Sequence, residues 1–192
     1  MTNAKTSAVP APLAAGRSRG LQVAAVLAGA AAVALASQVA VPLPGTPVPM
    51  TLQPLAVLLV GGLLGPRLGA ASLACYLALG AAGLPVFTPV GAPGLARLFG
   101  PTGGYLLAYP FAAALVGFVA ARRPGWTGLV AGPLLGMVVV HVGGLAQLVA
   151  LTGSARAALA TGLVPFVPGD LIKVAVAALV LRRTMPLTRA LR

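Results

Sequence analysis

The chain is poor in the residues that most enzymes use. Its 192 residues include one acid, Asp170, one histidine, His141, one cysteine, Cys75, and two lysines. A single carboxylate cannot form the paired acid and base of a hydrolase, and His141 has no second ligand at metal-binding spacing. Cys75 alone cannot form an intrachain disulfide. We therefore expect no catalytic residues, no metal and no cofactor.

Phosphate-binding loops are missing as well. A GxxxxGK[ST] loop needs a lysine directly after a glycine-rich run, and neither Lys5 nor Lys173 follows such a run. We therefore expect that this polypeptide does not itself hydrolyse ATP.

What the chain does contain is apolar. Hydrophobic residues make up 59% of it, charged residues only 7%, and the mean hydropathy is +1.01. A soluble globule of this composition would lack polar groups for its surface, so we predict an integral membrane protein in the lipid bilayer. The net charge of +12 would suggest a nucleic-acid partner in a soluble protein. Here the basic residues lie in short loops and tails, so membrane topology explains them better and no nucleic acid is expected.

Apolar runs predict an all-α, compact bundle of six transmembrane helices. A span needs roughly 20 apolar residues, fewer where neighbouring helices shield it. The predicted helices are Leu21–Val41, Met50–Leu64, Leu68–Ala82, Gly103–Ala121, Trp126–Leu151 and Leu163–Leu181. Prolines at 42–49 force an extended connection, and Gly65 with Pro66 predicts a tight turn. Residues 20–186 form the membrane domain, between a disordered basic tail at 1–19 and a second tail at 187–192.

The distribution of basic residues predicts the orientation. Ten of them fall on one side of the predicted spans: Lys5, Arg17, Arg19, Arg67, Arg122, Arg123, Arg182, Arg183, Arg189 and Arg192. Only Arg97 and Arg156 occupy the opposite loops. Under the positive-inside rule both termini are cytoplasmic, in the cytoplasmic membrane. Asp170 lies 12 residues before Arg182, about 18 Å along a helix, so it belongs to the outer part of the membrane.

Small residues recur at four-residue intervals on several helices. Such ladders let helix backbones approach closely in lipid. Two glycine ladders chiefly indicate packing inside the bundle: Gly61, Gly65 and Gly69, and Gly128, Gly132 and Gly136. A ladder on the first helix is open to two interpretations, internal packing or the interface with a partner subunit; it consists of Ala24, Ala28, Ala32 and Ala36.

Polar side chains gather on the predicted outer side. Lys173 and Arg97 are suited to a carboxylate, Asp170 can accept hydrogen bonds from N–H groups, and Gln53 lies close by in the topology. Candidate walls and hydroxyls come from Tyr76, Phe87, Tyr105 and Tyr109. We expect a small anionic ligand with an amide-like head.

Each of these residues has a structural alternative. Asp170 and Lys173 can form an i,i+3 ion pair that only neutralises two buried charges. Arg97 can contact lipid phosphates, and the tyrosines can serve as interface anchors or packing residues. His141 can be a packed, singly hydrogen-bonded neutral histidine or a ligand or pore residue.

Three motifs carry a family resemblance. In chain order they are GPRLGAASLACYLALGAAGLPVF at Gly65–Phe87, GPTGGYLLAY at Gly100–Tyr109 and VPGDLIK at Val167–Lys173. Together they resemble the BioY family, the biotin-binding S components of energy-coupling-factor (ECF) transporters. The resemblance extends from about residue 20 to residue 185.

The resemblance implies an S-component fold that binds biotin near the outer face and delivers it inward. It assigns ligand contacts to Asp170 and Lys173, and it places Gly100–Tyr105 beside the site. It also implies partners, a transmembrane coupling subunit and two cytoplasmic ATPase subunits that use ATP, with the ladder Ala24 to Ala36 as the contact face. The alternatives are another vitamin, a biotin transporter acting alone and, more distantly, a membrane scaffold without a small-molecule ligand.

Overall fold

Helices make up nearly all of the computed structural model, which describes residues 13–123 and 125–188 and gives side chains for 19–123 and 125–184. Its helices are α1 (Leu13–Gln38), α2 (Gln53–Ala81), α3 (Ala96–Phe99), α4 (Gly103–Arg122), α5 (Trp126–Thr152), α6 (Ala155–Gly162) and α7 (Val167–Thr188). Two strands of two residues, β1 (Ala40–Val41) and β2 (Met50–Thr51), pair antiparallel across the proline-rich connection. The prediction of an all-α chain was therefore wrong only for this short ladder.

Helix α2 folds back on itself at Gly65. This residue has φ 79° and ψ −179°, a conformation open to glycine because it has no Cβ, and Pro66 follows it. Gln53 and Tyr76 lie 23 positions apart, about 34 Å along a straight helix, yet Nε2 of Gln53 is 2.5 Å from the Tyr76 hydroxyl oxygen. The predicted turn at Gly65 and Pro66 is confirmed, and α2 consists of two antiparallel arms.

Several predicted boundaries were wrong. Helix α1 begins at Leu13, inside the predicted tail, and ends at Gln38 because the next residues pair with β2. The short helices α3 and α6 were not predicted. Ser154 caps α6 by accepting a hydrogen bond from the Ala157 N–H, and α6 meets α7 at a bend of 55°. Residues 1–12 and 189–192 of the predicted tails lie outside the described part of the chain.

Four described helices are long and apolar enough to cross a membrane, and the number is five if the bent pair α6 and α7 counts as one span. The four are α1 from Arg19, α2, α4 and α5. This supports a multi-pass membrane protein. In this count α2 is one span, although its two arms run in opposite directions.

Close backbone contacts hold α4 against the α2 hairpin. A Cβ added to Gly117 would lie 2.5 Å from the Gly65 carbonyl carbon, and one on Gly61 would lie 2.4 Å from the Ala113 oxygen. Gly136 of α5 similarly faces Val116, at 2.5 Å from its added Cβ. Such contacts are the usual basis of helix association in lipid, so the glycine ladders serve internal packing, as we expected.

The bundle has two chemically different ends. Six exposed arginines with described side chains lie at the end formed by the Gly65 turn, the α4–α5 connection and the ends of α1 and α7: Arg19, Arg67, Arg122, Arg123, Arg182 and Arg183. There the Arg182 guanidinium lies 4.5 Å above the Trp126 ring centre. The candidate site occupies the opposite end. Lys5, Arg17, Arg189 and Arg192, predicted for the basic side, fall outside the described side chains.

Candidate ligand-binding site

A cavity lies at the end of the bundle opposite these six exposed arginines. The empty space within it is about 590 Å³, part of which is open to the outside. Helices α4, α5 and α7 and the connections on either side of α2 contribute its walls. The lining consists of Val48, Pro49, Thr51, Gln53, Pro54, Phe87, Thr88, Arg97, Thr102, Tyr105, Leu106, Tyr109, Met137, Val140, His141, Phe166, Asp170 and Lys173.

Asp170 is the centre of a three-residue polar cluster in this cavity. It lies in the first turn of α7, where the helix dipole favours a negative charge. Its Oδ1 accepts a hydrogen bond from Nζ of Lys173, and its Oδ2 is bonded to Nε2 of His141, both at 2.8 Å. Asp170 is 6% and Lys173 7% exposed. The i,i+3 ion pair therefore exists, and it faces the cavity.

Gln53 is held at the cavity wall by two neighbours. Its Nε2 donates to the Tyr76 hydroxyl at 2.5 Å, and its Oε1 accepts from the Thr51 hydroxyl at 3.2 Å. Tyr76 is fully buried and does not line the cavity. The ring of Phe87, which does, meets Tyr76 edge-on with centroids 5.4 Å apart. Tyr76 therefore supports the wall from behind, which differs from the direct contact we expected.

Arg97 holds the connection between α2 and α3. Its Nη2 donates to the Thr88 carbonyl at 2.7 Å, and its Nη1 donates to the Val90 carbonyl. Burial lowers the pKa of Arg97, but a guanidinium remains protonated in proteins. Its charge thus remains beside the cavity while both terminal nitrogens bind the chain.

The same connection is tied to α1. The Ser37 hydroxyl donates to the Val86 carbonyl at 2.7 Å, and Gln38 Nε2 donates to the Phe87 carbonyl at 3.3 Å. Phe87 also packs against Gly80, where a Cβ would lie 2.2 Å from the ring. The segment over the cavity is therefore held from two sides, by Arg97 and by α1.

The two tyrosines of α4 differ in their surroundings. The Tyr105 hydroxyl donates to the Gly162 carbonyl at 2.7 Å, which ties α4 to the end of α6. Its ring also meets the His141 imidazole edge-on at 6.1 Å. Tyr109 is 3% exposed and lines the cavity. Both residues fit a wall better than a surface anchor.

Three buried polar atoms have no hydrogen-bond partner within the described part of the chain. They are the Thr88 hydroxyl oxygen, Nε of Arg97 and Nδ1 of His141. All three residues line the cavity. Buried polar atoms normally find a partner, so this cluster of open positions is what a site for a polar ligand requires.

The structure brings most of the sequence-predicted site residues together. Tyr76 lies behind the cavity. Seven of the predicted residues line it: Asp170, Lys173, Arg97, Gln53, Phe87, Tyr105 and Tyr109. Sequence reasoning did not find Thr51, Thr88, Thr102 or Met137, and it left His141 undecided. No local pattern marks His141, because its partner Asp170 is 29 positions away. That the sequence-predicted residues contact a ligand remains a prediction.

The alanine ladder of α1 lies on the outer face of the bundle. Ala24, Ala28 and Ala32 are exposed and Ala36 is half-buried. The opposite face is in the core, where a Cβ on Gly29 would lie 2.5 Å from the Ser72 hydroxyl oxygen. The ladder is therefore free for an external contact, and its role as a subunit interface stays a prediction.

An apolar multi-helix bundle with a partly open, partly charged cavity at one end is typical of a membrane protein with a small-molecule site. Comparison with known proteins makes this more specific. The crystal structure of the S-component for biotin from an ECF-type ABC transporter superposes with a TM-score of 0.80 at 30% identity, covering 90% of this chain and 94% of that one. The BioY family model matches residues 8–190, so the chain belongs to the BioY family.

Individual relatives agree. The biotin transporter BioY of Thermotoga maritima is 36% identical over 141 residues, which are 73% of this chain and 83% of the relative. The biotin transporter BioY of Rhodobacter capsulatus is 39% identical over 164 residues, with 78% and 85% covered. The match thus extends over most of both chains.

Proposed function

We propose that this chain binds biotin in the cavity around Asp170 and acts in biotin uptake across the membrane. The observation that carries the proposal is the cluster of Asp170, Lys173 and His141, which lines a cavity together with unpartnered polar atoms. The match to a biotin S-component over 90% of the chain supports the same ligand. No bond is made or broken in this function, which fits the scarcity of catalytic residues.

The charges of the cavity suit a monoanion. Its lining contains two cations, Arg97 and Lys173, and one anion, Asp170. With His141 neutral, one positive charge is left over, and a single carboxylate compensates it. Carboxylates form strong, charge-assisted hydrogen bonds with such donors. Biotin carries one carboxylate at the end of an aliphatic chain, and the apolar walls suit that chain.

The other end of biotin is a cyclic urea with two N–H donors. Asp170 uses one acceptor position on each carboxylate oxygen for Lys173 and His141, and an ionised carboxylate has about four such positions. Its remaining positions suit the urea N–H groups. Gln53 and Thr88 add neutral polar groups at the same cavity.

The membrane topology we propose has six crossings with both termini in the cytoplasm. The two antiparallel arms of α2 count separately, next to α1, α4, α5 and α7. The six exposed arginines then face the cytoplasm under the positive-inside rule, and the cavity faces outward. Cysteine-accessibility labelling in intact cells tests this, with Arg67→Cys expected to be protected and Arg156→Cys expected to be labelled from outside.

For energisation we propose a transmembrane coupling subunit and two ATPase subunits, as is typical of ECF transporters. The exposed ladder Ala24 to Ala36 supports α1 as the contact face. Uptake of labelled biotin should then depend on the partner genes. Undiminished, concentrative uptake by cells that make only this chain would favour a transporter that acts alone.

The binding proposal is tested with the purified full-length chain in detergent. Isothermal titration with biotin should give saturable binding, and biotin should raise the thermal unfolding midpoint by mass action. Competition with other unlabelled vitamins identifies the ligand. Tighter binding of another vitamin would transfer the site to that vitamin, and no binding of any of them would favour a scaffold.

A further inference from the structure

His141 occupies a position between the polar cavity and an apolar groove on the outside of the bundle. It lines the cavity with Asp170 on one side. On the other side it borders an apolar groove between α5 and the connection from α6 to α7, lined by Leu134, Met137, Val138, Val142, Leu145 and Leu163. The imidazole has 13% of its surface exposed. An unpaired polar ring would be unfavourable there, so the bond to Asp170 matters to both residues.

The carboxylate of Asp170 needs two fixed points. The torsion between a carboxylate and its methylene group is broad, so one bonded oxygen does not determine the plane of the group. Lys173 bonds Oδ1 from the same helix, three residues on. His141 bonds Oδ2 from α5 and thereby holds the group between two helices. Only with both bonds is the direction of the remaining lone pairs determined.

The chemistry also assigns the proton of the imidazole. An ionised carboxylate only accepts hydrogen bonds, so Nε2 of His141 must donate to Oδ2. In the neutral ring Nδ1 then carries no proton, and it has no partner within the described residues. The bond from Nε2 is therefore the one polar contact that His141 makes with the described side chains.

We infer that His141 is a positioning residue of the biotin site, which holds the Asp170 carboxylate so that its free lone pairs meet the ligand's urea N–H groups. The inference rests on the proposed function. It gives His141 an indirect role through Asp170, distinct from a direct ligand contact by Nδ1. It also differs from simple packing, because it requires a donor at the Nε2 position.

Three substitutions separate these roles in the full-length chain. His141→Leu keeps an apolar side chain against the apolar groove and removes both nitrogens. His141→Gln places an amide nitrogen as many bonds from the backbone as Nε2, and His141→Asn places its amide at the distance of Nδ1. Val142→Leu, at an exposed neighbour, is the matched control.

Each variant is titrated with biotin and with biotin methylated on its urea nitrogens. Wild-type protein should prefer biotin. His141→Leu should weaken biotin binding about 10- to 100-fold, as for the loss of a charge-assisted hydrogen bond, and should change binding of the methylated ligand little. His141→Gln should restore most of the affinity and the preference, and His141→Asn should not.

The outcomes are decisive in each direction. Equal losses for both ligands mean that His141 only packs, and rescue by Asn in place of Gln means a direct contact through Nδ1; either result overturns the inference. If wild-type protein and His141→Leu bind biotin with equal affinity, the inference about His141 is overturned and the proposed function remains intact. Wild-type protein that binds no biotin overturns the proposed function, and the inference falls with it. The Gln and Asn comparison still decides if the Leu variant does not fold.

Discussion

The guanidinium of Arg97 donates a hydrogen bond from Nη2 to the carbonyl oxygen of Thr88, nine residues earlier, at 2.7 Å. Its Nη1 binds the carbonyl of Val90 in the same segment. One side chain thus closes the connection over the cavity while its charge stays beside the ligand position. The two roles, loop closure and charge, can be separated by substitution.

Arg97→Lys retains the charge and loses the planar fork that binds two carbonyls at once. We expect faster dissociation of biotin, because the segment at 88–90 opens more easily, with a smaller change in the association rate. Chase experiments with excess unlabelled biotin measure this. Arg97→Met should add a loss of affinity from the missing charge. Arg67→Lys, at the other end of the bundle, is the control. Equal dissociation rates of biotin from wild type, Arg97→Lys and Arg67→Lys would contradict loop closure.

Asp170→Asn should weaken biotin binding at least tenfold. The loss of a charge-assisted hydrogen bond costs about 1.5–3 kcal/mol, and each 1.4 kcal/mol corresponds to a factor of ten. Isothermal titration checks this, and unchanged affinity would remove Asp170 from the site.

The same variant leaves Lys173 without its counter-ion. Breaking a buried pair by removing one partner costs about 3–5 kcal/mol, so its thermal midpoint should fall. The double variant Asp170→Asn with Lys173→Met should recover stability and leave binding weak, which separates the two effects.

Lys173→Met keeps the length of the stem that carries the ammonium group and removes the charge. If Lys173 binds the carboxylate of biotin, the variant should lose the preference of the site for biotin over its uncharged amide. If Lys173 acts only by holding Asp170, both ligands should weaken equally, because the bond at 2.8 Å to Oδ1 is lost for either. Parallel titrations with the two ligands distinguish these results.

Substitutions on the α1 ladder test the interface. Ala28→Trp or Ala32→Trp places bulk on the exposed face, where close contact with a partner helix would be lost. We expect intact biotin binding in detergent and abolished ATP-driven uptake in cells that contain the coupling and ATPase subunits. Ala175→Trp, at an exposed alanine of α7 and therefore on a different helix, is the control. Normal uptake by the ladder variants would show that the partner binds elsewhere.

Gly117→Ala should destabilise the fold. The added Cβ would lie 2.5 Å from backbone atoms of Gly65 and Pro66, which cannot move aside as a flexible side chain can. Overpacking of this kind costs about 1–3 kcal/mol, or roughly 2–12 °C in the unfolding midpoint for a chain of this size. Gly20→Ala, also within a helix but with nothing within 4 Å of its added Cβ, should not lower the midpoint, because alanine favours the helix and meets no neighbour. Thermal unfolding in detergent compares the two.

Local sequence patterns were enough for the membrane character, most of the helix positions and the turn at Gly65. Each of these depends on a short stretch of chain, such as an apolar run, or a glycine before a proline. The pairing of Asp170 with Lys173 was accessible for the same reason, since residues three apart share one face of a helix.

The remaining parts of the site required the folded chain. The bonds from His141 to Asp170 and from Gln53 to Tyr76 join residues 29 and 23 positions apart. In a membrane protein the lipid-facing and core-facing sides of a helix are both apolar, so hydrophobic periodicity does not indicate which side faces a neighbour. Helix α6, only eight residues long, ends at the Gly162 carbonyl that Tyr105 binds from α4. The composition and spacing of the residues thus define the helices and their charged pair, while the crossing of the helices defines which polar groups meet in the cavity.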